Sequence, residues 1–291
     1  MLKLSNWIVV TIALLGALPK TVAADATPPA QIAVSPSRFE VEIGSKPTTE
    51  SVDVVNLGDR PVSIQVTVAT WDLDERNQVR ILEPDEQSLD QWMVVNPLRF
   101  TIPAGKSQTV RFSVRPKVRP LPGEHRAMLY FEQVLPEEAA TRIRLKFKVG
   151  VAVYAFAGDV SREGTLHGVE VVHGQNPARF RFDVSNEGTA HVRLSGDYAV
   201  YKADDYDASS KQETATVSVA SGTLPSRPVL PGARRHVVLG VDGGRLPPGE
   251  YVLDLHGQLG GRSIDRVVPF SIYEPTLQAR TEEPAPVPDQ E

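Results

Sequence analysis

The sequence predicts an all-β protein, and three observations lead to that prediction. Short segments with alternating apolar and polar residues, typical of half-buried strands, recur along the chain. Combinations of Gly, Pro and Asn, which favour turns, separate these segments at short intervals. No segment sustains the period of 3.6 residues expected of an amphipathic helix. Together these features are typical of an immunoglobulin-like β-sandwich.

In the first half of the chain the alternation is clearest at Phe39, Val41 and Ile43, where two glutamates lie between the apolar residues. Residues 72–91 are polar and acidic, and they predict a loop or a short irregular element. The predicted strands of this half are, in order, residues 32–34, 39–43, 51–55, 62–71, 98–102, 108–114, 126–134 and 141–156.

Three turns of the first half recur in the second half. Gly58, Gly105 and Gly123 mark the first set, and Gly188, Gly232 and Gly249 mark the second. The spacings agree, with 47 and 18 residues in the first set against 44 and 17 in the second. Matched turns at near-equal spacing predict two tandem immunoglobulin-like β-sandwich domains. We expect the domains at residues 31–157 and 160–273, followed by a disordered tail rich in proline and acidic residues at 274–291.

The N-terminus predicts export. Lys3 precedes an apolar core of 12 residues, 7–18, which is too short to span a bilayer. Small residues at Ala23 and Ala24 suit a signal peptidase, so residues 1–24 are predicted to be a signal peptide. No later segment is predicted to span a membrane. The chain has no cysteine, which excludes disulfides and thiolate chemistry.

Composition and motifs argue against several classes of function. The net charge is −5, without the clustered basic surface of a nucleic-acid-binding protein. The sequence lacks a nucleophile elbow, a P-loop and a glycine-rich dinucleotide motif. His167 and His173 have no third histidine nearby, and the acidic residues Asp72 and Asp74 lack the glycine of a calcium loop. We therefore expect no enzyme activity, no catalytic residue, no metal and no cofactor.

The segment 141–156 is the longest alternating run in the chain. One face of this predicted strand is apolar and the other begins with four basic residues, the last two being Lys146 and Lys148. Two interpretations remain open. The strand is either the last strand of an ordinary sandwich, with its basic residues in solvent, or a strand that stays available to pair with another chain. The apolar residues are Ile143, Leu145, Phe147, Val149, Val151 and Val153.

Arg38 stands just before the alternating strand that starts at Phe39. An arginine at the start of a strand is often only a surface residue. The alternative interpretation is that its planar fork of donors binds a carboxylate.

Four stretches of the first domain resemble the periplasmic pilus-assembly chaperones of chaperone–usher systems. The resemblance covers about residues 31–157, and its most specific part is Pro103 to Gly105 with the following Lys106 and Ser107. The element Gly123-Glu124-His125-Arg126 resembles the divergent, archaic-type branch of that family more than its other members. The four stretches are residues 34–39, 55–58, 96–112 and 122–126.

The resemblance implies a periplasmic chaperone whose partner is a pilus or fimbrial subunit with an incomplete immunoglobulin-like fold. An outer-membrane usher is a further candidate partner. Family members donate their last strand to the subunit, which implies a donor row here of Ile143, Leu145, Phe147 and Val149. They anchor the carboxylate of the subunit with an arginine, matched by Arg38, and with a lysine. At the expected place of that lysine the chain has Val151, which leaves Lys146 and Lys148 as candidates.

The chain departs from the family in its second domain, whose sequence predicts a β-sandwich with a long polar loop and without the features usual in that family. A structural or adhesion-related envelope protein without chaperone activity is therefore the alternative prediction. A weaker third alternative is a carbohydrate-binding or enzyme-accessory domain, for which Trp71 and Trp92 are the candidate aromatic residues.

Overall fold

The computed structural model of the chain describes residues 31–74, 77–135, 146–172, 176–206, 217–241 and 244–273. The predicted signal peptide, 1–24, and the predicted tail, 274–291, lie outside these ranges. Within the described ranges, no helix combines the length and the apolar character needed to cross a membrane. The elements described are strands and two short 3₁₀-helices, Leu89–Trp92 and Ala203–Asp205. This content confirms the prediction of an all-β protein.

Two sheets packed face to face form the first domain. Its strands are β1 (Ile32–Ser35), β2 (Arg38–Ile43), β3 (Thr48–Asn56), β4 (Val62–Ala69), β5 (Trp71–Leu73), β6 (Val79–Ile81), β7 (Met93–Asn96), β8 (Arg99–Ile102), β9 (Ser107–Val114), β10 (Gly123–Gln133) and β11 (Lys148–Ala157). One sheet has the order β1-β3-β9-β7 and the other β2-β11-β10-β4-β8. β2 and β11 are parallel, whereas β10 is antiparallel to both β11 and β4.

Alternation along the strands builds the core of this domain, because successive side chains point to opposite faces of a sheet. Phe112 on β9 packs between the sheets with Ile64 on β4 and Leu129 on β10, and each is at most 1% exposed. Each such side chain contributes about 1.5–3 kcal/mol when it is fully buried.

The second domain repeats this architecture. Its strands are β12 (Gly164–Val172), β13 (Arg179–Asn186), β14 (Val192–Lys202), β15 (Ala220–Thr223), β16 (Pro228–Val229), β17 (Arg234–Gly240), β18 (Gly249–Leu259) and β19 (Arg262–Ile272). One sheet has the order β12-β13-β17, and the other has the order β15-β14-β18-β19 with β16 paired to β14. A separate core that includes Phe180, Phe182 and Leu253 lies between them. The chain thus folds as two tandem immunoglobulin-like sandwiches, as predicted.

The recurring turns have the same hydrogen-bond pattern in both domains. The Asn56 side chain donates to the carbonyls of Arg60 and Ile102 and accepts from the Gly58 N–H. Asn186 in the second domain does the same, with the carbonyls of Ala190 and Val229 and the N–H of Gly188. Both asparagines are at most 1% exposed, so each of them satisfies backbone groups that water does not reach.

Replacing Asn186 with alanine is expected to lower the free energy of unfolding by about 1–3 kcal/mol, because it leaves buried carbonyl and N–H groups without partners. Glu187→Ala is the matched control, since Glu187 follows in the same turn and its side chain is exposed. Chemical denaturation measures both changes. Equal unfolding free energies for the two variants would show that the Asn186 bonds do not stabilise the turn.

The segment 72–91, predicted to be a loop or a short irregular element, also contains strand residues that the sequence did not predict. A short hairpin of β5 and β6 lies there, followed by the 3₁₀-helix Leu89–Trp92. Trp71 and Leu73 alternate with the polar Asp72 and are both buried, which is a strand pattern too short to recognise in the sequence. The hairpin turns through Asn77, which has a positive φ of 60°.

Candidate functional site

The last strand of the first domain has one edge that is only partly paired. β11 pairs with β10 over residues 148–157, but its other edge pairs with β2 only from Ala152 to Ala157. The Ala152 N–H donates to the Ser37 carbonyl on that side. Because hydrogen-bonding groups alternate along a strand, the N–H and C=O of Gly150 and Lys148 point to the same edge. Among the described residues, no strand pairs with this edge over 148–151.

The predicted donor row lies at the open end of this strand. Val151 and Val153 are fully buried in the core of the first domain. Phe147 packs partly buried against the same core, and Val149 is half-buried. Ile143 and Leu145 lie outside the described residues. Burial along β11 therefore decreases from Val153 and Val151, which are fully buried, to Val149 and Phe147, which are partly buried.

The other face of β11 is also covered in its second half. Tyr154 and Phe156 form a separate apolar cluster with Met128 of β10. This junction cluster also takes Trp71 and Leu73 from the β5–β6 hairpin, and Ala190 and Leu230 from the second domain. β11 thus belongs both to the first core and to the contact between domains.

Polar contacts reinforce this junction. Arg235 of β17 donates to the carbonyls of Leu73 and Asp74 in the hairpin. The Asn77 side chain donates to the carbonyl of His236, and the Glu124 N–H donates to the Thr189 carbonyl. The hairpin and the start of β10 therefore both hold the second domain.

Arg38 begins β2, directly opposite Ala152 of β11. Its side chain is 44% exposed, and its Nε lies 3.5 Å from Oε1 of Glu40 on the same strand. In this register Arg38 and Glu40 lie on the strand face that points to the junction between domains, as Tyr154 does. Arg38 thus lies at the boundary between the open edge of β11, residues 148–151, and the part of β11 that pairs with β2.

The two candidate lysines lie farther along β11 and have other partners. Lys146 forms an ion pair with Glu132, and its hydrogen bond lowers the pKa of that carboxyl. The Lys148 Nζ lies 4.1 Å from the centre of the Tyr130 ring, a cation–π contact. Four residues separate Lys148 from Ala152, about 13 Å along a strand. Arg38 and the lysines therefore share no partner among the described residues.

The structure explains why no lysine occupies the expected place on β11. Val151 points into the core and is fully buried. At the neighbouring Gly150, a Cβ atom would lie 2.9 Å from the Met128 sulfur. A lysine at 151 would place its charge in the core, and any side chain at 150 would require Met128 to move.

A buried polar network at the junction was not predicted. The Glu124 carboxylate is fully buried, and its Oε2 accepts from both the backbone N–H and the Nδ1 of His191, each at 2.6 Å. Arg126 donates to the other oxygen at 3.1 Å. Burial raises the pKa of Glu124, but the hydrogen bonds and charge of His191, together with Arg126, outweigh it and hold the pKa below its usual value.

Arg193 of β14 extends this network. It donates to the Tyr154 hydroxyl at 3.1 Å and to the Ser226 carbonyl at 2.6 Å. Burial raises the pKa of Tyr154 to about 12, so this hydroxyl stays neutral. Burial also lowers the pKa of Arg193, and the nearby charge of Arg38 acts in the same direction. Arg38, Arg193 and Tyr154 thus lie close enough to influence one another.

The remaining candidates do not form a site in the described residues. Trp71 and Trp92 are at most 3% exposed, so neither ring is available to stack on a sugar. Asp72 forms ion pairs with Arg80 and Arg126. His173 lies outside the described residues, within which no cluster of three or more His, Asp or Glu side chains suits a metal ion.

The first domain matches a known family model. Residues 31–155 match the model described as pili and flagellar-assembly chaperone, PapD N-terminal domain. The match covers most of the first domain, 125 of the 291 residues of the chain. Arg38 and the open edge of β11 over residues 148–151 lie inside the matched region.

Solved structures give more remote likenesses. The class 5 fimbriae chaperone CfaA is 13% identical, with a TM-score of 0.43, and the match covers 84% of this chain and 100% of that one. CsuC–CsuE, a chaperone–tip adhesion subunit complex from the archaic Csu pili of Acinetobacter baumannii, is 16% identical, with a TM-score of 0.41 and coverage of 82% and 98%. The E. coli chaperone DraB is 16% identical, with a TM-score of 0.40 and coverage of 84% and 98%. No curated protein matches the chain.

Sequence reasoning found Arg38 but missed Glu40, His191 and Arg193. Glu40 belongs to an alternating strand, where a charged residue is normally in solvent. His191 and Arg193 belong to the second domain, so no local pattern connects them to Arg38. The available signal was the match between Asn186 and Asn56, which places His191 just after a repeated turn.

Proposed function

We propose that the protein is a periplasmic chaperone that binds a pilus or fimbrial subunit by donating part of its last first-domain strand. The family match of residues 31–155 supports a role in pilus assembly. The observation that carries the mechanism is the open edge of β11 over residues 148–151, next to Arg38. Strand addition to an exposed edge satisfies backbone hydrogen bonds, while alternate side chains fill pockets of the partner.

The donor row in this proposal is Ile143, Leu145, Phe147 and Val149. The subunit that fits it has an incomplete immunoglobulin-like fold, whose missing strand leaves an apolar groove. Burying four large apolar side chains stabilises such a complex by roughly 6–12 kcal/mol before entropic costs, at about 1.5–3 kcal/mol each. Arg38 then binds the C-terminal carboxylate of the subunit through charge-assisted hydrogen bonds.

Co-expression with an incomplete subunit tests the proposal. We expect a 1:1 complex by size-exclusion chromatography and native mass spectrometry. The matched control is the same subunit with its missing strand fused in place, since a filled groove leaves nothing for a donor strand to complete. Equal binding of both forms, or of neither, would contradict strand donation and favour a structural role in the envelope.

A further inference from the structure

Glu40 lies at the centre of a group of basic side chains drawn from both domains. Its Oε1 is 3.5 Å from Arg38 Nε and 3.4 Å from His191 Nε2, and its Oε2 is 3.8 Å from Arg162 Nη2. Arg38 belongs to β2, Arg162 lies between β11 and β12, and His191 directly precedes β14. A single partly exposed carboxylate thus joins the two domains electrostatically.

These contacts are loose. Each of the three distances is longer than the 2.7–2.9 Å of a charge-assisted hydrogen bond between nitrogen and a carboxylate. The Glu40 side chain is 38% exposed, so leaving the cluster requires little rearrangement of the core. Arg162, by contrast, is held in place by the Phe156 ring, whose centre lies 4.8 Å from its guanidinium carbon.

A crevice opens beside this cluster. Its volume is about 200 Å³, and its lining includes Glu40, Arg162, His191 and Arg193. It has room for several water molecules of about 30 Å³ each, and hence for a carboxylate group. The Nε of Arg193 is buried and has no hydrogen-bond partner among the described residues. The crevice is therefore lined by a loosely held acid and by an arginine with one unpaired donor.

We propose that Glu40 is an internal substitute for a peptide C-terminal carboxylate, held between Arg38, Arg162 and His191 in the free protein and displaced when the carboxylate enters. This inference rests on the proposed function and adds to it that the second domain supplies part of the anchor. The exchange replaces one negative charge by another, so the charge balance of the crevice is preserved. Glu124 does not compete, because His191 and Arg126 already bind it.

A titration with N-acetylglycine, the smallest peptide-like carboxylate, tests the inference without any subunit. NMR of the arginine Nε–H groups in the full chain reports binding, and N-acetylglycinamide is the uncharged control ligand. Glu40→Gln is expected to lower the Kd for N-acetylglycine by up to about fivefold, the upper end of the range for exposed ion pairs. Arg162→Ala and Arg38→Ala are expected to raise it by a similar factor.

Glu42→Gln is the matched control, because Glu42 is exposed and lies two residues farther along the same face of β2. Glu40→Ser, expected to act like Glu40→Gln, keeps the test valid if one variant folds poorly. An unchanged Kd in Glu40→Gln and Glu40→Ser, or in Arg162→Ala, would overturn the inference, as would equal binding of the amide. The co-expression experiment is independent, so a subunit captured equally well by all these variants would leave strand donation standing and remove the carboxylate exchange.

Discussion

Arg38→Ala is expected to weaken subunit capture by about one to two orders of magnitude, because hydrogen bonds to a charged group contribute about 1.5–3 kcal/mol each. The fold should be unaffected. Arg38 is 44% exposed, its ion pair with Glu40 is 3.5 Å long, and it contributes no apolar surface to either core. The change in stability should therefore stay within about 0.5 kcal/mol. Binding to surface-immobilised subunit measures the affinity of capture, and thermal unfolding measures the change in stability.

Two further variants sharpen this test. Arg38→Lys keeps the charge but loses the planar fork, so we expect an intermediate affinity. Arg99→Ala removes an exposed arginine from β8, on the far edge of the same sheet, and should leave capture unchanged. If Arg38→Ala captures the subunit as well as Arg99→Ala does, Arg38 is a surface residue and the carboxylate anchor lies elsewhere.

The second large effect is expected at the junction between domains. His191→Ala removes the Nδ1 hydrogen bond to the buried Glu124 carboxylate, and a hydrogen bond to a charged group contributes about 1.5–3 kcal/mol. It also removes the contact between His191 and Tyr154, whose ring centres lie 4.0 Å apart. Chemical denaturation should show the loss. His236→Ala, at an exposed histidine of β17, should change stability by less than about 0.5 kcal/mol.

A double variant separates charge from packing at this junction. Replacing both Glu124 and His191 with glutamine removes the carboxylate and the imidazole together. We expect it to be more stable than His191→Ala, because no buried carboxylate is left with fewer hydrogen bonds. A double variant as unstable as His191→Ala would show that ring packing, rather than the Glu124–His191 hydrogen bond, stabilises the junction.

Stability should also depend on pH through Glu124. Its pKa in the folded protein lies below the ordinary value of 4.5: burial opposes this shift, but His191 and Arg126 outweigh burial. The unfolded chain therefore binds a proton more readily, and the stability from Glu124 is present above 4.5 and is lost as the pH falls through the folded pKa. The melting temperature of the wild type should drop more steeply than that of Glu124→Gln between about pH 6 and pH 3. Parallel curves would contradict this assignment.

Most of the fold could be predicted because it depends on local patterns. Alternation identified strands such as β2 and β9, and the repeated Asn-x-Gly turns predicted the tandem arrangement. The β5–β6 hairpin was missed for a physical reason. Each of its strands has three residues, and its stability comes from Trp71 and Leu73 in the junction cluster and from Arg235 of the second domain.

Only those residues of the candidate site that belong to a local sequence pattern could be predicted. Arg38 and the apolar row appear as short motifs, and the resemblance to a family gave them a meaning. The partners of Glu40 lie up to 151 residues away, in another domain, and an ion pair across domains leaves no periodic signal in a sequence. The burial of Val151, which excludes a lysine there, likewise became visible only with the packing of the core.

The position of Arg38 at the start of β2 would determine where a subunit strand ends along β11. β2 runs parallel to β11 and begins at Arg38, opposite Ala152. A strand that ends with its carboxylate at Arg38 and lies along residues 143–151 would also run parallel to β11, in line with β2. The subunit strand and β2 would then lie end to end, and both would pair with β11. Such a contact would set the register of the subunit strand through its C-terminal carboxylate alone. Subunits with different side chains would then pair with β11 in the same register.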